Sequence, residues 1–248
     1  MRKLTIIIPS LNEARSLPSV ITGLVRSLDG IDYKILIVDD GEDNTPQILV
    51  QIMCPRVELF RRSGDERNGL SGAVIAGFKR ADSEYVAVMD GDGQHPPELI
   101  RRMMWMAQYH GNDMVLASRH IKGASADGLE GAMRKFYSSF LRQMPRLLFS
   151  RLWYVTDPLS GFFLIRTNCF RPEDLRAIGW KISLEVLLFS DINSYQEVGY
   201  CFRKRIGGES KANFRVGIEY FRQLLSLAFR YYFSSSQNRS KKQLSQSK

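Results

Sequence analysis

Apolar residues along this chain come in short runs, separated by stretches where they recur every three or four positions. The runs are Leu4 to Ile8, Lys34 to Val38, Val57 to Phe60, Tyr85 to Met89 and Met114 to Ala117. Their brevity and their Ile, Val and Leu content predict buried strands. The intervening spacing predicts helices from about Ser16, over about Thr45 to Ile52, from about Gly69 to Arg80 and from about Pro97 to Tyr109. Such alternation predicts an α/β fold: a Rossmann-like, mostly parallel central sheet with helices on both faces. Ligands on sheets of this kind bind outside the carboxyl ends of the strands.

Polar residues stand at those ends. Pro9, Asn12 and Glu13 follow the first run, Asp39 and Asp40 the second, and Asp90 and Asp92 the fourth, within VAVMDGDGQHPPE. Two carboxylates separated by one glycine can meet a divalent cation that carries a diphosphate, because hard Mg²⁺ or Mn²⁺ prefers oxygen ligands. Asp and Gly also cluster in ordinary turns, so Asp-x-Asp alone leaves both readings open. Acidic residues at several strand ends favour a nucleotide-sugar site. Asn12 and Asp43 suit helix capping equally well. Asn68, Gly69, Gly72 and Gly77 open the third helix, either to bring backbone N–H groups near a phosphate or to pack closely on the sheet. His95, followed by Pro96 and Pro97, is expected to shape a turn rather than hold a metal. Met103, Met104, Trp105 and Met106 are expected to fill the core.

Composition narrows the partners. The 248 residues can bury a large core. A net charge of +9 and a pI near 9.6 imply an anionic partner. A nucleic acid would explain the charge but not the acidic strand ends, so none is expected. The three cysteines, Cys54, Cys169 and Cys201, fit neither a disulfide framework nor a CxxC metal site, which implies a reduced cytosolic setting. The start, MRKLTIIIPSLNE, is too short in apolar residues for a signal-peptide core, and no run approaches the roughly 18 residues that span a bilayer. The chain is thus expected to be soluble or bound peripherally to a membrane.

Beyond Ala117 the pattern changes. Lys or Arg occupies positions 119, 122, 134, 135, 142, 146 and 151, against Asp127 and Glu130. Phe136, Phe140, Leu141, Met144, Leu147 and Leu148 recur at helical spacing, with a kink expected at Pro145. This amphipathic helix either packs on the core or lies in a membrane interface. A second stripe, Phe214, Ile218, Phe221, Leu225, Ala228 and Tyr232, carries arginines beside it. The final stretch lacks acids and reads as a disordered tail attracted to anionic lipid. The expected organisation is a catalytic domain over 1–213 that includes a basic acceptor-side segment at 119–153, an interface helix at 214–233 and a tail at 234–248.

IIIPSLNE, ILIVDDGEDNT, NGLSGAVIAGFKRA, VAVMDGDGQHPPELI, ASRH, DPLSGFFLIR and RIGGESK follow one another in an order that resembles family 2 glycosyltransferases of the GT-A fold. Within that family the chain resembles the polyprenyl-phosphate sugar synthases, dolichyl-phosphate mannose synthases above all. The resemblance covers about residues 4 to 233. It implies that Pro9, Glu13, Val38 and Asp40 hold the nucleoside, and that Asp90, Asp92 and Gln94 manage the diphosphate, the sugar and an Mg²⁺ or Mn²⁺ ion, with Asp92 and Gln94 nearest the metal. It implies that Arg119, Arg134 and Ser138 grip a lipid phosphate, and that Arg205 and Lys211 close over the phosphates. The implied donor is GDP-mannose and the implied acceptor a dolichyl or polyprenyl monophosphate at the cytoplasmic face of a membrane, with a membrane-anchoring subunit as a further partner. Gly41, Glu42, Asp43 and Asn44 depart from the DxSxD run common after VDD, and Gly93 stands where a larger residue is common.

The chemistry leads to the same place. An acceptor phosphate is already anionic and needs no base, but bringing two phosphate groups together requires cations. In-line attack would invert the anomeric carbon. The alternative within the family is transfer to a hydroxyl of a glycan or glycolipid, with Asp157 as the base.

Overall fold

The structure is a computed structural model that describes residues 2–125, 132–206 and 214–246, with the side chains of 132–139, 214–216 and 234–246 outside the described set. The five expected strands form as β1 (Arg2–Ser10), β2 (Tyr33–Asp39), β3 (Val57–Arg61), β4 (Ser83–Val88) and β5 (Met114–Ser118). The four expected helices form as α1 (Leu17–Ser27), α2 (Thr45–Ile52), α3 (Gly69–Arg80) and α4 (Leu99–His110). They are joined by α5 (Ala132–Leu148), β6 (Phe163–Arg166), α6 (Ile182–Phe189), β7 (Tyr195–Gly199) and α7 (Phe214–Gln246).

The seven strands lie in the order β3-β2-β1-β4-β6-β5-β7. β6 is antiparallel to both β4 and β5, and the other neighbours are parallel. Because β6 runs backwards, its first residues lie at the same sheet edge as the last residues of β4 and β5. The DPLSG segment that precedes β6 is thereby brought beside DGD.

Alternate strand residues supply two cores, as period-two geometry requires. Ile7, Val38, Val86 and Val88 pack with Val74 and Phe78 of α3, Leu184 and Val186 of α6, and Leu224 and Leu227 of α7. Ile6, Ile8, Ile35 and Ala87 pack on the other face with Leu17, Ile21 and Leu24 of α1 and Ile100 and Met103 of α4. Each such burial stabilises by roughly 1.5–3 kcal/mol. Met103 and Met104 are core residues as expected, whereas Trp105 is 55% exposed and stacks on Tyr109 at 5.0 Å. Trp105 falls between the core-facing positions of α4 and points outward.

The amphipathic segments divide their apolar residues between two jobs. On α5, Leu141 and Met144 pack on the core while Phe140 and Leu147 are exposed. On α7, Tyr220, Gln223, Leu224 and Leu227 are buried, and Ile218, Phe221, Leu225, Phe229, Tyr232 and Phe233 are exposed. Ala228, assigned to the outer stripe by spacing, packs against the core instead. The two helices meet where the Tyr220 hydroxyl donates to the Leu141 carbonyl (2.8 Å) and the Tyr232 hydroxyl to the Leu148 carbonyl (2.5 Å). Trp153 and Tyr154, just beyond α5, are exposed as well. α7 continues to Gln246, into the stretch read from sequence as a tail, and no Gly or Pro after Gly217 interrupts it. Among the described residues, no helix is long and apolar enough to cross a membrane.

Candidate active site

The carboxyl edge of the sheet gathers the polar strand ends. β1 and β2 deliver Leu11, Asn12, Asp40 and Glu42 to a cavity of 410 Å³ that Arg67 and Gly69 complete. Asn12, with φ 63°, turns its side-chain oxygen onto the backbone N–H groups of Glu42 (2.8 Å) and Asp43 (3.3 Å). It tolerates the left-handed conformation because its short polar side chain bonds locally. Asp43 in turn accepts from the Ala14 and Thr45 N–H groups at 3.0 and 3.1 Å, so both residues hold the loop together. Asp40 is buried against Arg62 in a two-pronged pair of 2.8 and 2.5 Å. Pro9 and Val38 are buried strand residues, each two positions before a residue of the cavity lining, Leu11 and Asp40.

β4 ends in the DGDGQH loop. His95 is buried and stacks on Phe162 at 4.9 Å. Its Nδ1 accepts a hydrogen bond from the Asp90 N–H at 3.0 Å, which fixes the loop's first turn. Burial lowers its pKa to about 4, so the ring is neutral at physiological pH despite the Asp92 charge nearby. This bears out the turn-shaping role. Asp92 Oδ1 accepts from the Gln94 N–H at 2.9 Å. Gly93, with φ +80°, holds a backbone conformation that favours glycine, and an added Cβ would press on the Ile206 side-chain tip at 2.4 Å.

The segment after β7 lies along this loop. The Arg203 N–H donates to the Gln94 carbonyl (3.0 Å) and the Ile206 N–H to the Asp92 carbonyl (3.1 Å). Between them, the Arg205 guanidinium reaches Asp92 Oδ2 at 2.8 Å and Glu13 Oε1 at 3.6 Å. Glu13 thus shares the Arg205 guanidinium with Asp92. The Gln94 amide donates to the Arg203 carbonyl at 3.1 Å. Burial raises the pKa values of Asp90 and Asp92, the latter further through the Asp90 charge. Carboxylates in that condition want a cation, and in this structure Arg205 supplies it.

Arg119 directly follows β5. Arg119 clamps the fully buried Asp157 through Nε to Oδ2 (2.7 Å) and Nη2 to Oδ1 (2.9 Å), and its own N–H reaches the same carboxylate. Burial pushes the Asp157 carboxyl up, but the hydrogen bonds and charge of Arg119 outweigh it and leave the pKa below its ordinary value. Glu197 of β7 braces the same turn by accepting from Thr156 N–H and Oγ1 at 2.9 Å each. Arg134 and Ser138 lie on α5 with side chains outside the described residues, and Lys211 lies outside the described residues altogether.

Three contributors escaped the sequence: Arg62, Glu197 and Lys181. The ammonium of Lys181 is the strongest charge partner of Asp90, ahead of Arg205 and Arg119. Among 35 basic residues, none of the local patterns marks Arg62 or Lys181. Only the topology, which brings distant segments to one edge, selects them.

A model of the family described as Glycosyl transferase family 2 matches residues 5–171. A dolichol-phosphate mannosyltransferase of Pyrococcus furiosus is 33% identical over 227 residues, covering 91% of this chain and 63% of its own length. The chain thus spans less than two thirds of that relative. A dolichol-phosphate mannosyltransferase of Mycosarcoma maydis is 32% identical, covering 93% of this chain and 80% of its own. The fold is shared with glucosyl-3-phosphoglycerate synthase of Mycobacterium tuberculosis, solved with Mn²⁺, UDP-glucose and phosphoglyceric acid. The TM-score is 0.65 at 17% identity, over 93% of this chain and 79% of that one.

Proposed function

This chain belongs to glycosyl transferase family 2, and from that premise we propose that it is an inverting glycosyltransferase moving mannose from GDP-mannose onto a dolichyl or polyprenyl monophosphate at the cytoplasmic face of a membrane. The relatives named for that activity support the acceptor and the sugar. The observation that carries the reading is the Arg119–Asp157 clamp. The acid that would have to deprotonate a hydroxyl acceptor is buried, doubly bonded to a guanidinium and held in its weakly basic form. A site so built suits an acceptor that arrives already ionised, and Arg119 is the cation to meet it.

The residues divide the work accordingly. The cavity between β1 and β2 takes the nucleoside, with Asp40 and Glu42 on its wall. Asp90 and Asp92 face the diphosphate and sugar. Their hard oxygen donors, and the guanidinium that already pairs with Asp92, fit Mg²⁺ or Mn²⁺. Among the described residues no three His, Cys, Asp or Glu side chains form a closed metal cage, so the shell would be shared with Gln94, the diphosphate and water. When bound, the ion supplies Lewis-acid charge for the departing diphosphate. Arg119, joined from α5 by Arg134 and Ser138, orients the acceptor phosphate so that its oxygen attacks the anomeric carbon in line with the leaving group. The C–O bond to the diphosphate breaks as the new one forms, with inversion. Arg205 and Lys211 neutralise charge on the phosphates.

The outward apolar faces of α5 and α7 suit the headgroup boundary of a bilayer, which brings the site to its lipid. Leu225→Asp or Phe229→Asp is expected to cut partitioning onto anionic liposomes severalfold in a flotation assay while thermal stability is kept, because both side chains are exposed; undiminished flotation would rule out this face. The transferase reading is tested by incubating the protein with labelled GDP-mannose, polyprenyl phosphate and Mn²⁺. Label should enter the organic phase, and label that stays aqueous with every nucleotide-mannose donor would refute it.

A further inference from the structure

Lys181 immediately precedes α6 in the segment IGWKIS, and the roles assigned above leave it unused. Its ammonium is attracted by Asp90 and Asp157 and repelled by Arg119, and its charge also reaches His95. The geometry agrees: two residues on, the Ser183 hydroxyl donates to the Pro158 carbonyl at 3.0 Å, which fixes the start of α6 beside Asp157, and a Cβ at Gly161 of the same turn would lie 3.6 Å from the Asp90 carboxylate. Among the described residues this ammonium has no hydrogen bond or ion pair. A cation drawn into a cleft, partly stripped of water and without a direct partner, is placed for an anion that comes from outside.

The backbone at this point is held from two helices. The fully buried Gln223 of α7 accepts from the Lys181 N–H at 3.3 Å and donates to the Lys181 carbonyl at 3.1 Å. Two positions earlier, the Gly179 carbonyl accepts from the buried Ser71 hydroxyl of α3 at 2.7 Å. Gly179 has φ +70°, and a Cβ there would lie 2.5 Å from Gln223 Oε1, so the turn is shaped to receive that amide. The indole N–H of Trp180 donates to Glu219, again on α7. Arg230 of α7 pairs with the buried Glu185 of α6. A polar amide buried wholly within an apolar helix face costs free energy unless it is bonded, and here both of its groups serve one peptide unit.

Building on the acceptor assignment made under Proposed function, we propose that Lys181 is a phosphate-binding residue of the acceptor site, and that Gln223 is a positioning residue through which the lipid-facing helix α7 sets the Lys181 backbone. The phosphate monoester then lies between Arg119 and Lys181, on the Asp90 side of the cleft. The helix that carries the outward apolar face is also the one that fixes a cation at the reaction centre.

The test is calorimetric titration of the full chain with farnesyl phosphate, using wild type, Lys181→Met, Lys181→Arg, Gln223→Met and the double variant Lys181→Met with Gln223→Met. Losing one charge-assisted contact is expected to weaken binding about tenfold or more. Lys181→Arg should keep most of the affinity, and Gln223→Met should weaken it. The double variant should bind no worse than Lys181→Met, because Gln223 acts through Lys181. Affinity for GDP with Mn²⁺ should stay within twofold in all of them. Wild-type affinity in Lys181→Met, or an equal loss for GDP, would overturn the role of Lys181, and additive losses in the double variant would overturn that of Gln223. A wild-type chain that binds no farnesyl phosphate would instead bring down the acceptor reading and this assignment with it.

Discussion

Replacing Asp92 by Asn is expected to abolish transfer, by a factor of about 10³ or more, together with metal-dependent binding of the nucleotide. Asp92 is buried at the end of β4, one oxygen is committed to the Gln94 N–H and the other carries the charge that meets Arg205. Asparagine keeps the volume and can still accept from Gln94, so the loop should stay folded. It loses the negative oxygen, which is what a hard divalent ion and a guanidinium both require. The checks are initial rates with a labelled donor and nucleotide titrations with and without Mn²⁺. Turnover with an unchanged manganese dependence would remove Asp92 from the site. Gln94→Ala should have a milder effect, because its amide is tied to the Arg203 carbonyl and the Asp92 carboxylate remains.

The second large effect is expected at Asp157, as loss of stability as well as of activity. Asp157→Ala leaves Arg119 largely buried without its partner, a condition that costs about 3–5 kcal/mol. Urea-unfolding midpoints should fall accordingly. Arg119→Met combined with Asp157→Leu removes both charges and should recover most of the lost stability, yet transfer should stay abolished because the acceptor phosphate has lost its guanidinium. A base would behave otherwise: the wild-type pH–rate profile would then show an acidic limb belonging to Asp157. The lowered pKa of Asp157 puts its own titration below the usual carboxylate range. Its contribution to stability is present above the unfolded carboxylate pKa and is lost only as pH falls through the lower folded value. Assays near neutrality therefore see the clamp intact.

What could be read in advance followed from local rules. The runs at 4–8, 34–38, 57–60, 85–89 and 114–117 fell within or beside strands, because fully buried parallel strands are continuous in their apolar character. β6 escaped because it is four residues long and antiparallel, and α6 because it is apolar on every side and offers no stripe. DGDGQH could be placed at a strand end from sequence alone. That Arg119 is bound to Asp157, 38 positions away, or Asp40 to Arg62, could not be, since such partners are chosen by the sheet order. Of the stripe on α7, Ile218, Phe221, Leu225 and Tyr232 are exposed and Ala228 packs against the core, while the side chain of Phe214 lies outside the described residues. One helix covers the core and presents apolar residues outward at once, so spacing by itself could not apportion them.

Arg205 gives the resting protein an internal counter-ion. Its neighbours on both sides are tied to the DGDGQ backbone, so the side chain can leave Asp92 by its own torsions while the chain around it stays in place. A divalent ion held by Asp92 would take the place of this guanidinium, so loading the cleft would be an ion exchange rather than an addition, and the displaced Arg205 would be left to neutralise phosphate charge.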